Sequence, residues 1–320
     1  MKAVIRRKYG PPETLSVAEI EKPMMKEDEV FIKVHATTVN RTDCAIVTGK
    51  PFIMRLFLGL FKPRQIVPGT DFAGQILAVG KGVTNFRIND RVFGFGDDGI
   101  QSQAQFMSHP VKKAIAHMPN KMSYEHAVAS LEGAHYAFNF INKVNVAPGQ
   151  KVMVNGATGA IGSALIQLLT YYGARVTATC NTKNVTLIKS LGVARIIDYK
   201  KEDFTKDSEK YDFVFDAVGK STFGKCKRLL KKRGVYISSE LGPWVQNPFL
   251  ALITPLIGGK KVKFPLPTNI MRSIEFVKKM IAEDVFRPVI DKTYALDEVA
   301  EAYKYVCSGN KTGNVILSMS

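Results

Sequence analysis

The distribution of apolar and polar residues changes along the chain. In the first third, short β-branched and aromatic runs are separated by Gly, Pro, Asn and Asp, which is typical of strands and turns. From Gln150 onward, apolar strand patterns alternate with helical patterns. This alternation predicts a doubly wound parallel sheet with helices on its faces. We therefore expect an α/β protein with a separate β-rich part.

Individual elements follow from the same pattern. The first part contains the predicted strands KAVIRR, VFIKVHATTV, FAGQILAVG, DRVFGFG and AQFMSH. A helical stretch is predicted over Tyr124–Asn142. The α/β part contains the predicted strands KVMVN, ARVTAT, RIID, DFVFDAV, GVYISS and KKVKF, with a helix near Thr222–Lys232. The tail holds two helical patterns and a last strand, GNVILSM, which breaks the rhythm and is expected to return to the first part.

The length of 320 residues favours two domains. We predict one domain of residues 1–119, joined by the returning segment 268–320, and a second domain of residues 120–267 that contains the alternating strands and helices. No apolar run is long enough to span a bilayer. The four cysteines lie far apart without a CxxC pair, which argues against a disulfide framework and favours a reduced, cytoplasmic protein.

The net charge of +17 raises the question of whether the protein binds an anionic partner. Basic residues cluster at Lys225–Arg233 and around Lys260. They fit solvated helix faces, or an anionic partner such as a phosphorylated cofactor, nucleic acid or an acidic membrane surface. No aromatic residues interleave with these lysines as they do in RNA-binding sheets, so a nucleic-acid partner is disfavoured.

The segment VMVNGATGAIGSALIQLL indicates a nucleotide site. It places Gly156, Gly159 and Gly162 between a predicted strand and a predicted helix. Glycines there allow a tight turn, a close approach of backbone to a pyrophosphate, and close packing of helix on strand. The helix N-terminus then offers free N–H groups to the anion. Ala157 replaces the first glycine of the usual pattern.

The end of the second α/β strand indicates which nucleotide binds. An NAD site expects a carboxylate there, to accept a hydrogen bond from the ribose 2′-hydroxyl. The chain has Cys180 followed by Asn181, Thr182 and Lys183. An amide, a hydroxyl and an ammonium group suit a 2′-phosphate, which favours NADP(H).

Several longer motifs resemble those of a known family. VNRTDCAIVTG, VPGTDFAGQILAVG, INDRVFGFG, NGATGAIG, IIDYKKEDF and YALDEVAEAYKYVCSGNKTGNVI extend over nearly the whole chain. Together they resemble the medium-chain dehydrogenase/reductase superfamily, in its zinc-free quinone oxidoreductase (zeta-crystallin-like) branch. The resemblance implies a Rossmann sheet and a β-rich, barrel-like (GroES-like) catalytic domain.

The resemblance also predicts that no metal is bound. Zinc-dependent relatives use Cys, a His-Glu pair and Cys, where this chain has Asn40, Thr70, Asp71 and about Leu131. Asn, Thr and Leu do not form a zinc site of the nitrogen and sulfur type. Without a Lewis acid, reduction of an electron-poor quinone or α,β-unsaturated carbonyl is easier than oxidation of an alcohol.

Most of the predicted site residues are carried over from matching positions of the family. Asn40 is expected near the nicotinamide, with Thr42 or His135 as a route for the proton. His135 also fits a helix histidine that serves packing only, and both interpretations remain open. The predicted cofactor contacts are Ala157, Thr158, Gly159, Ala160, Ile161, Gly162, Asn181, Thr182, Lys183, Tyr199, Val218, Ser238, Ser239, Leu241, Lys311 and Asn314.

The functional prediction is hydride transfer from NADPH to a quinone or enone, a small-molecule substrate. The alternative is a regulatory protein that binds NADPH without turnover, because Ala45 stands where some relatives have an active-site tyrosine. Many relatives pair through the edge of the cofactor sheet, which leaves a homodimer open. The apolar segment Phe52–Phe61 fits a buried loop or short helix, or a flap over a lipophilic substrate or subunit contact.

Overall fold

The computed structural model describes residues 1–319 and divides the chain into two units. The first unit contains residues 1–132, 270–282 and the tail from Pro288. The second contains residues 133–269 and 283–287. Within residues 1–319, every helix is too short or too polar to cross a lipid bilayer.

The strands and helices have the following bounds. In chain order, the strands are β1 (Lys2–Ile5), β2 (Ser16–Glu19), β3 (Glu29–Val39), β4 (Asp71–Val79), β5 (Arg91–Phe95), β6 (Phe106–Pro110), β7 (Ile115–His117), β8 (Lys151–Asn155), β9 (Arg175–Cys180), β10 (Arg195–Asp198), β11 (Tyr211–Asp216), β12 (Leu230–Ser238), β13 (Lys261–Lys263), β14 (Ile290–Ala295) and β15 (Asn314–Ser318). The helices are α1 (Arg41–Thr48), α2 (Arg55–Leu58), α3 (Tyr124–Ala129), α4 (Glu132–Ile141), α5 (Ala160–Tyr171), α6 (Val185–Ser190), α7 (Phe223–Cys226), α8 (Gln246–Ile257), α9 (Ile270–Ala282) and α10 (Val299–Cys307).

The sheet of the first unit is mostly antiparallel. Its order is β14-β15-β3-β4-β5-β7, with β6 paired to β3 outside this path. The tail strand β15 pairs antiparallel with β3, so that Val315 lies opposite Val39. Alternate residues of β3, such as Val30, Ile32 and Val34, are buried in the core of this unit. Helix α1 follows β3 after the single residue Asn40, which is its N-cap, and carries the predicted site residue Thr42.

The sheet of the second unit is parallel throughout. Its order is β10-β9-β8-β11-β12-β13, and every neighbouring pair is parallel. This confirms the doubly wound parallel sheet that the alternating pattern predicts. The order reverses between β8 and β11, where such sheets bind ligands at the carboxyl ends of their strands. The predicted strand KKVKF forms the edge as β13.

Two predicted helices end differently in the structure. The helix predicted over Tyr124–Asn142 is interrupted between α3 and α4, where the Ser130 hydroxyl donates to the Ala127 carbonyl. The helix predicted near Thr222–Lys232 is wrong at its end, because β12 already begins at Leu230. Leu230 is buried opposite Tyr211 of β11, so sheet pairing overrides the helix propensity of the lysines that follow.

The apolar segment 52–61 forms short helical turns with exposed side chains. Phe57 is 75% exposed and Phe61 is 90% exposed. The expectation that this segment is buried is therefore wrong, while its short helix α2 is present. A flap over a lipophilic substrate stays a prediction.

Candidate active site and cofactor turn

The glycine turn follows β8 and is held by β9. Gly156 adopts a φ of +83°, which favours glycine. The Thr179 hydroxyl donates to Asn155 Oδ1 at 2.8 Å and accepts from the Gly156 amide at 3.1 Å. Gly159 is the N-cap of α5 and offers no side chain to its free N–H groups. The first turn of α5 therefore has the character of an anion site.

The glycines of this turn serve different purposes. A Cβ on Gly162 would lie 2.2 Å from the Gly156 carbonyl oxygen, so only glycine lets the helix pack this closely. A Cβ on Gly159 would meet nothing nearer than that same oxygen, at 3.7 Å. Gly159 thus leaves open space beside the turn, and a pyrophosphate fits this cradle. Thr158 and Ile161 are half-buried beside it, while Ala157 and Ala160 are buried.

The neighbouring strand ends converge on the turn. A Cβ on Gly156 would lie 2.6 Å from Val218 Cβ, so Val218 lies directly over the glycine. The carboxylate of Asp216 at the end of β11 accepts from Asn155 Nδ2 at 3.0 Å and from the Gly219 amide at 3.0 Å. Ser238 ends β12 beside Asp216. The structure therefore brings Val218 and Ser238 to the same sheet edge as the glycine turn.

Ser239 and Leu241 lie just beyond this edge. The Ser239 amide donates to the Asp216 carbonyl at 3.2 Å, and the Leu241 carbonyl accepts from the Asn247 amide at 3.0 Å. Both side chains are half-buried. Their roles toward a cofactor stay predictions.

The predicted 2′-phosphate residues lie at the end of β9. Lys183 and Tyr199 are exposed there. The buried Asn181 Oδ1 has no hydrogen-bond partner. A sugar hydroxyl would satisfy this buried acceptor, whose isolation is costly. The residues present therefore fit an adenine-side ribose.

Asp198 is a further residue of this corner that the sequence prediction omitted. It ends β10 in register with Cys180, and its Oδ2 accepts from the Thr182 hydroxyl at 2.6 Å. This hydrogen bond, together with the Lys200 amide and nearby lysines, lowers the pKa of Asp198. A carboxylate beside a phosphate is repulsive, so Asp198 opposes the preference for NADP(H) that Thr182 and Lys183 predict. The predicted parallel sheet is the feature that could have identified Asp198, because the carboxyl ends of neighbouring parallel strands such as β9 and β10 lie side by side.

His135 lies inside the second unit. It is 2% exposed, and burial lowers its pKa to about 4. Its Nε2 lies 3.4 Å from Asn139 Nδ2, and its ring meets Tyr136 edge to face. At neutral pH the imidazole is neutral, so it suits hydrogen bonding better than service as a cationic acid.

In the first unit, Asn40 links β3 to α1. Its Oδ1 accepts from the Asp43 amide at 2.7 Å, while Asp43 Oδ2 accepts from the Asn40 amide at 3.1 Å. This reciprocal pair is a capping box that starts α1. Asn40 Nδ2 also donates to Thr70 Oγ1 at 2.8 Å. Asp43 thereby orients Asn40 rather than facing a substrate.

The positions that match zinc ligands do not fit zinc. Asn40 and Thr70 hydrogen-bond each other, and Leu131 is buried. Asp71 accepts from the Thr38 hydroxyl at 2.6 Å and the Thr38 amide at 2.7 Å. Within residues 1–319, no cluster of three or more His, Cys, Asp or Glu side chains could hold a metal ion. The absence of a metal nevertheless stays a prediction.

Thr42 meets a buried carboxyl group. Its Oγ1 donates to Glu132 Oε1 at 2.9 Å. Lys311 and Asn314, the two predicted cofactor residues of the tail, both have contacts within the protein. The Lys311 ammonium donates to the Gly313 carbonyl at 2.6 Å, and burial lowers the pKa of Lys311.

Asn314 is buried and its Nδ2 donates to the Val289 carbonyl at 3.0 Å, which gives it a structural contact.

Replacement of Asn40 by alanine is expected to lower the free energy of unfolding by about 2 kcal/mol, because the helix cap is lost and Thr70 is left without its donor. Asn40→Ser keeps a capping oxygen but is too short to reach Thr70, so about half of the loss should return. Urea denaturation of the two variants measures the contribution of the helix cap and that of the hydrogen bond to Thr70. Equal stability of the alanine variant and the wild type would contradict the capping role.

Comparison with known proteins agrees with this architecture. Residues 26–119 match the family described as "Alcohol dehydrogenase GroES-like domain". Residues 191–317 match the family described as "Zinc-binding dehydrogenase". The chain belongs to the medium-chain dehydrogenase/reductase superfamily of oxidoreductases, which confirms the resemblance of its motifs. The description of the second family mentions zinc binding, but this chain has Asn40, Thr70, Asp71 and about Leu131 where zinc-dependent relatives have their ligands.

Three individual relatives share 21–28% sequence identity with this chain. A chloroplastic quinone oxidoreductase of Triphysaria versicolor is 28% identical, over 99% of this chain and 98% of its own length. A chloroplastic NADPH-dependent alkenal/one oxidoreductase of Arabidopsis thaliana is 28% identical, over 99% of this chain and 79% of its own. The solved structure of Escherichia coli quinone oxidoreductase complexed with NADPH has a TM-score of 0.81 at 21% identity, with 99% of this chain and 100% of that chain covered.

Proposed function

We propose that this chain reduces quinones or α,β-unsaturated carbonyl compounds with NADPH and without zinc. The carrying observation is the pair of Asn40 and Thr70, which hydrogen-bond each other where zinc-dependent relatives bind their metal. The names of the two plant relatives support the acceptor class. The solved relative that contains NADPH supports the nucleotide. A cytoplasmic location and a homodimer also stay predictions.

The chain's own residues have separate tasks in this proposal. Backbone N–H groups at the start of α5 would hold the pyrophosphate, with Gly159 giving it space. Asn181, Thr182, Lys183 and Tyr199 would hold the adenine-side ribose and its phosphate. When bound, the reduced nicotinamide supplies a hydride, and the protein contributes positioning and electrostatics. Asn40 is fixed by its cap, so its amide stays in one orientation.

A binding protein without turnover is the second candidate. Ala45 on α1 has no group that could donate to a substrate oxygen, unlike the tyrosine of some relatives. Thr42, three residues earlier on the same helix, does carry a hydroxyl. This hydroxyl favours the reductase.

Oxidation of NADPH with a panel of quinones and enones tests the proposal. We expect turnover that survives a strong chelator, and deuterium from (4-²H)NADPH at the β-carbon of a reduced enone. Elemental analysis should find less than stoichiometric zinc. Tight NADPH binding without oxidation by any acceptor would favour the regulatory alternative.

A further inference from the structure

Glu132 is a buried carboxylic side chain that the predicted site did not include. It is the first residue of α4 and is 7% exposed. Its Oε1 lies 2.9 Å from the hydroxyl of Thr42, which is 90 residues away in sequence. Thr42 is the second residue of α1, two positions after Asn40. The carboxyl group is therefore in direct contact with a proposed proton donor.

The surroundings of Glu132 favour its protonated form. Burial raises its pKa to about 7, against the attraction of Lys311 and the hydrogen bond from Thr42. Asp71 and Asp97 raise the pKa further, and the buried Asp43 also interacts electrostatically with Glu132. At neutral pH the group is therefore divided between acid and carboxylate, which is the state that a proton donor needs.

We propose that Glu132 supplies, through the Thr42 hydroxyl, the proton that completes reduction of the acceptor. This inference rests on the proposed function. The hydride brings two electrons to the acceptor, and charge develops on the acceptor's oxygen. When the Glu132 carboxyl group is protonated, it donates to Thr42 Oγ1 across the same 2.9 Å contact, and the Thr42 hydroxyl is free to point to the acceptor. The acceptor's oxygen takes the Thr42 proton, while Thr42 Oγ1 takes the proton of the Glu132 carboxyl group. The resulting carboxylate regains a proton from water, so each turnover consumes one hydride and one solvent proton.

Two other buried acids of this unit, Asp71 and Asp43, are occupied differently. Asp71 uses its two oxygens for the hydroxyls and amide of Thr37 and Thr38. Asp43 holds the cap of α1 through the Asn40 amide. Of these three acids, Glu132 is the one whose carboxyl group contacts Thr42. Glu132 acts through Thr42 and is thus a positioning and relay residue.

A measurement without substrate tests the protonation of Glu132. Its pKa in the folded protein is raised from an ordinary 4.5 to about 7. Its stabilising contribution should therefore be complete below about 4.5 and lost as the pH rises through about 7. Glu132→Gln lacks this titration. The Tm of the wild type minus that of the variant should fall between these pH values, and a constant difference would overturn the proposal.

Kinetics test the relay itself. We expect kcat of the wild type to fall above about pH 7, and Glu132→Gln to lower kcat about 100-fold with little change in KM and a flattened pH profile. Glu132→Asp should restore part of kcat and of the pH dependence. Glu29→Gln is the matched control, because Glu29 is also buried but accepts from the Lys26 amide.

The outcomes separate the two claims. A wild type that oxidises no NADPH with any acceptor would overturn the proposed function and the relay together. An active wild type with an unchanged kcat and pH profile in Glu132→Gln would overturn the relay alone. An active wild type with the slow, flattened profile in that variant would support both.

Discussion

Gly162→Ala should destabilise the protein by about 3 kcal/mol and abolish NADPH binding. The added methyl group would lie 2.2 Å from the Gly156 carbonyl oxygen and 2.8 Å from Ala157 Cα. These are backbone atoms, so relief requires α5 to move away from β8, and such overpacking costs a few kcal/mol. Urea denaturation and a titration with NADPH measure the two effects.

Gly159→Ala is the matched variant at the same turn. Its methyl group meets nothing nearer than 3.7 Å, and its φ of −73° suits alanine. The free energy of unfolding should change by less than about 1 kcal/mol. NADPH affinity should nevertheless fall at least about tenfold, because the methyl group fills space that the pyrophosphate requires. A Gly159→Ala variant with unchanged NADPH affinity would place the cofactor elsewhere.

The double variant Thr182→Ala, Lys183→Ala should lose NADPH affinity about 30-fold while NADH affinity stays nearly constant. The main reason is the loss of the Lys183 ammonium group at the end of β9, which would pair with the 2′-phosphate. The Thr182 hydroxyl, which donates to Asp198 in the structure, would have to turn from that carboxylate to donate to the phosphate. Titrations of both nucleotides at one salt concentration give the ratio. Equal losses for NADPH and NADH would show that these residues do not contact the phosphate.

Asp198→Asn, at the end of β10 beside Thr182, should change NADPH affinity in the opposite direction. It removes the negative charge beside Thr182 while retaining an oxygen that can accept from the hydroxyl. NADPH affinity should rise several-fold, and NADH affinity should change less. A fall in NADH affinity alone would instead assign Asp198 to a ribose hydroxyl.

Local patterns in the sequence predicted much of this molecule. The strand, glycine turn and helix around Gly156 and Gly162 are neighbours in sequence, so periodicity and glycine spacing were sufficient. The parallel sheet followed from the alternation of elements. The helix predicted into Lys232 failed because pairing with β11, a contact between distant segments, decides that Leu230 begins a strand.

Contacts between distant residues explain what was missed at the site. Asp198 reaches Thr182 because β10 lies beside β9 in the sheet, an order that no local pattern contains. Glu132 meets Thr42 across 90 residues, and its position within the helical stretch predicted over Tyr124–Asn142 does not indicate this contact. The sequence prediction named Asn40 and Thr42, but their contacts with Thr70 and Glu132 join distant segments and follow only from the folded chain.

Direct titration of the wild-type protein with NADPH and with NADH tests the central claim, that a phosphorylated nicotinamide nucleotide binds at the turn after β8. Nucleotide fluorescence and calorimetry should show one saturable site per chain, with NADPH bound more tightly than NADH. Failure of both nucleotides to bind saturably at millimolar concentration would contradict the account.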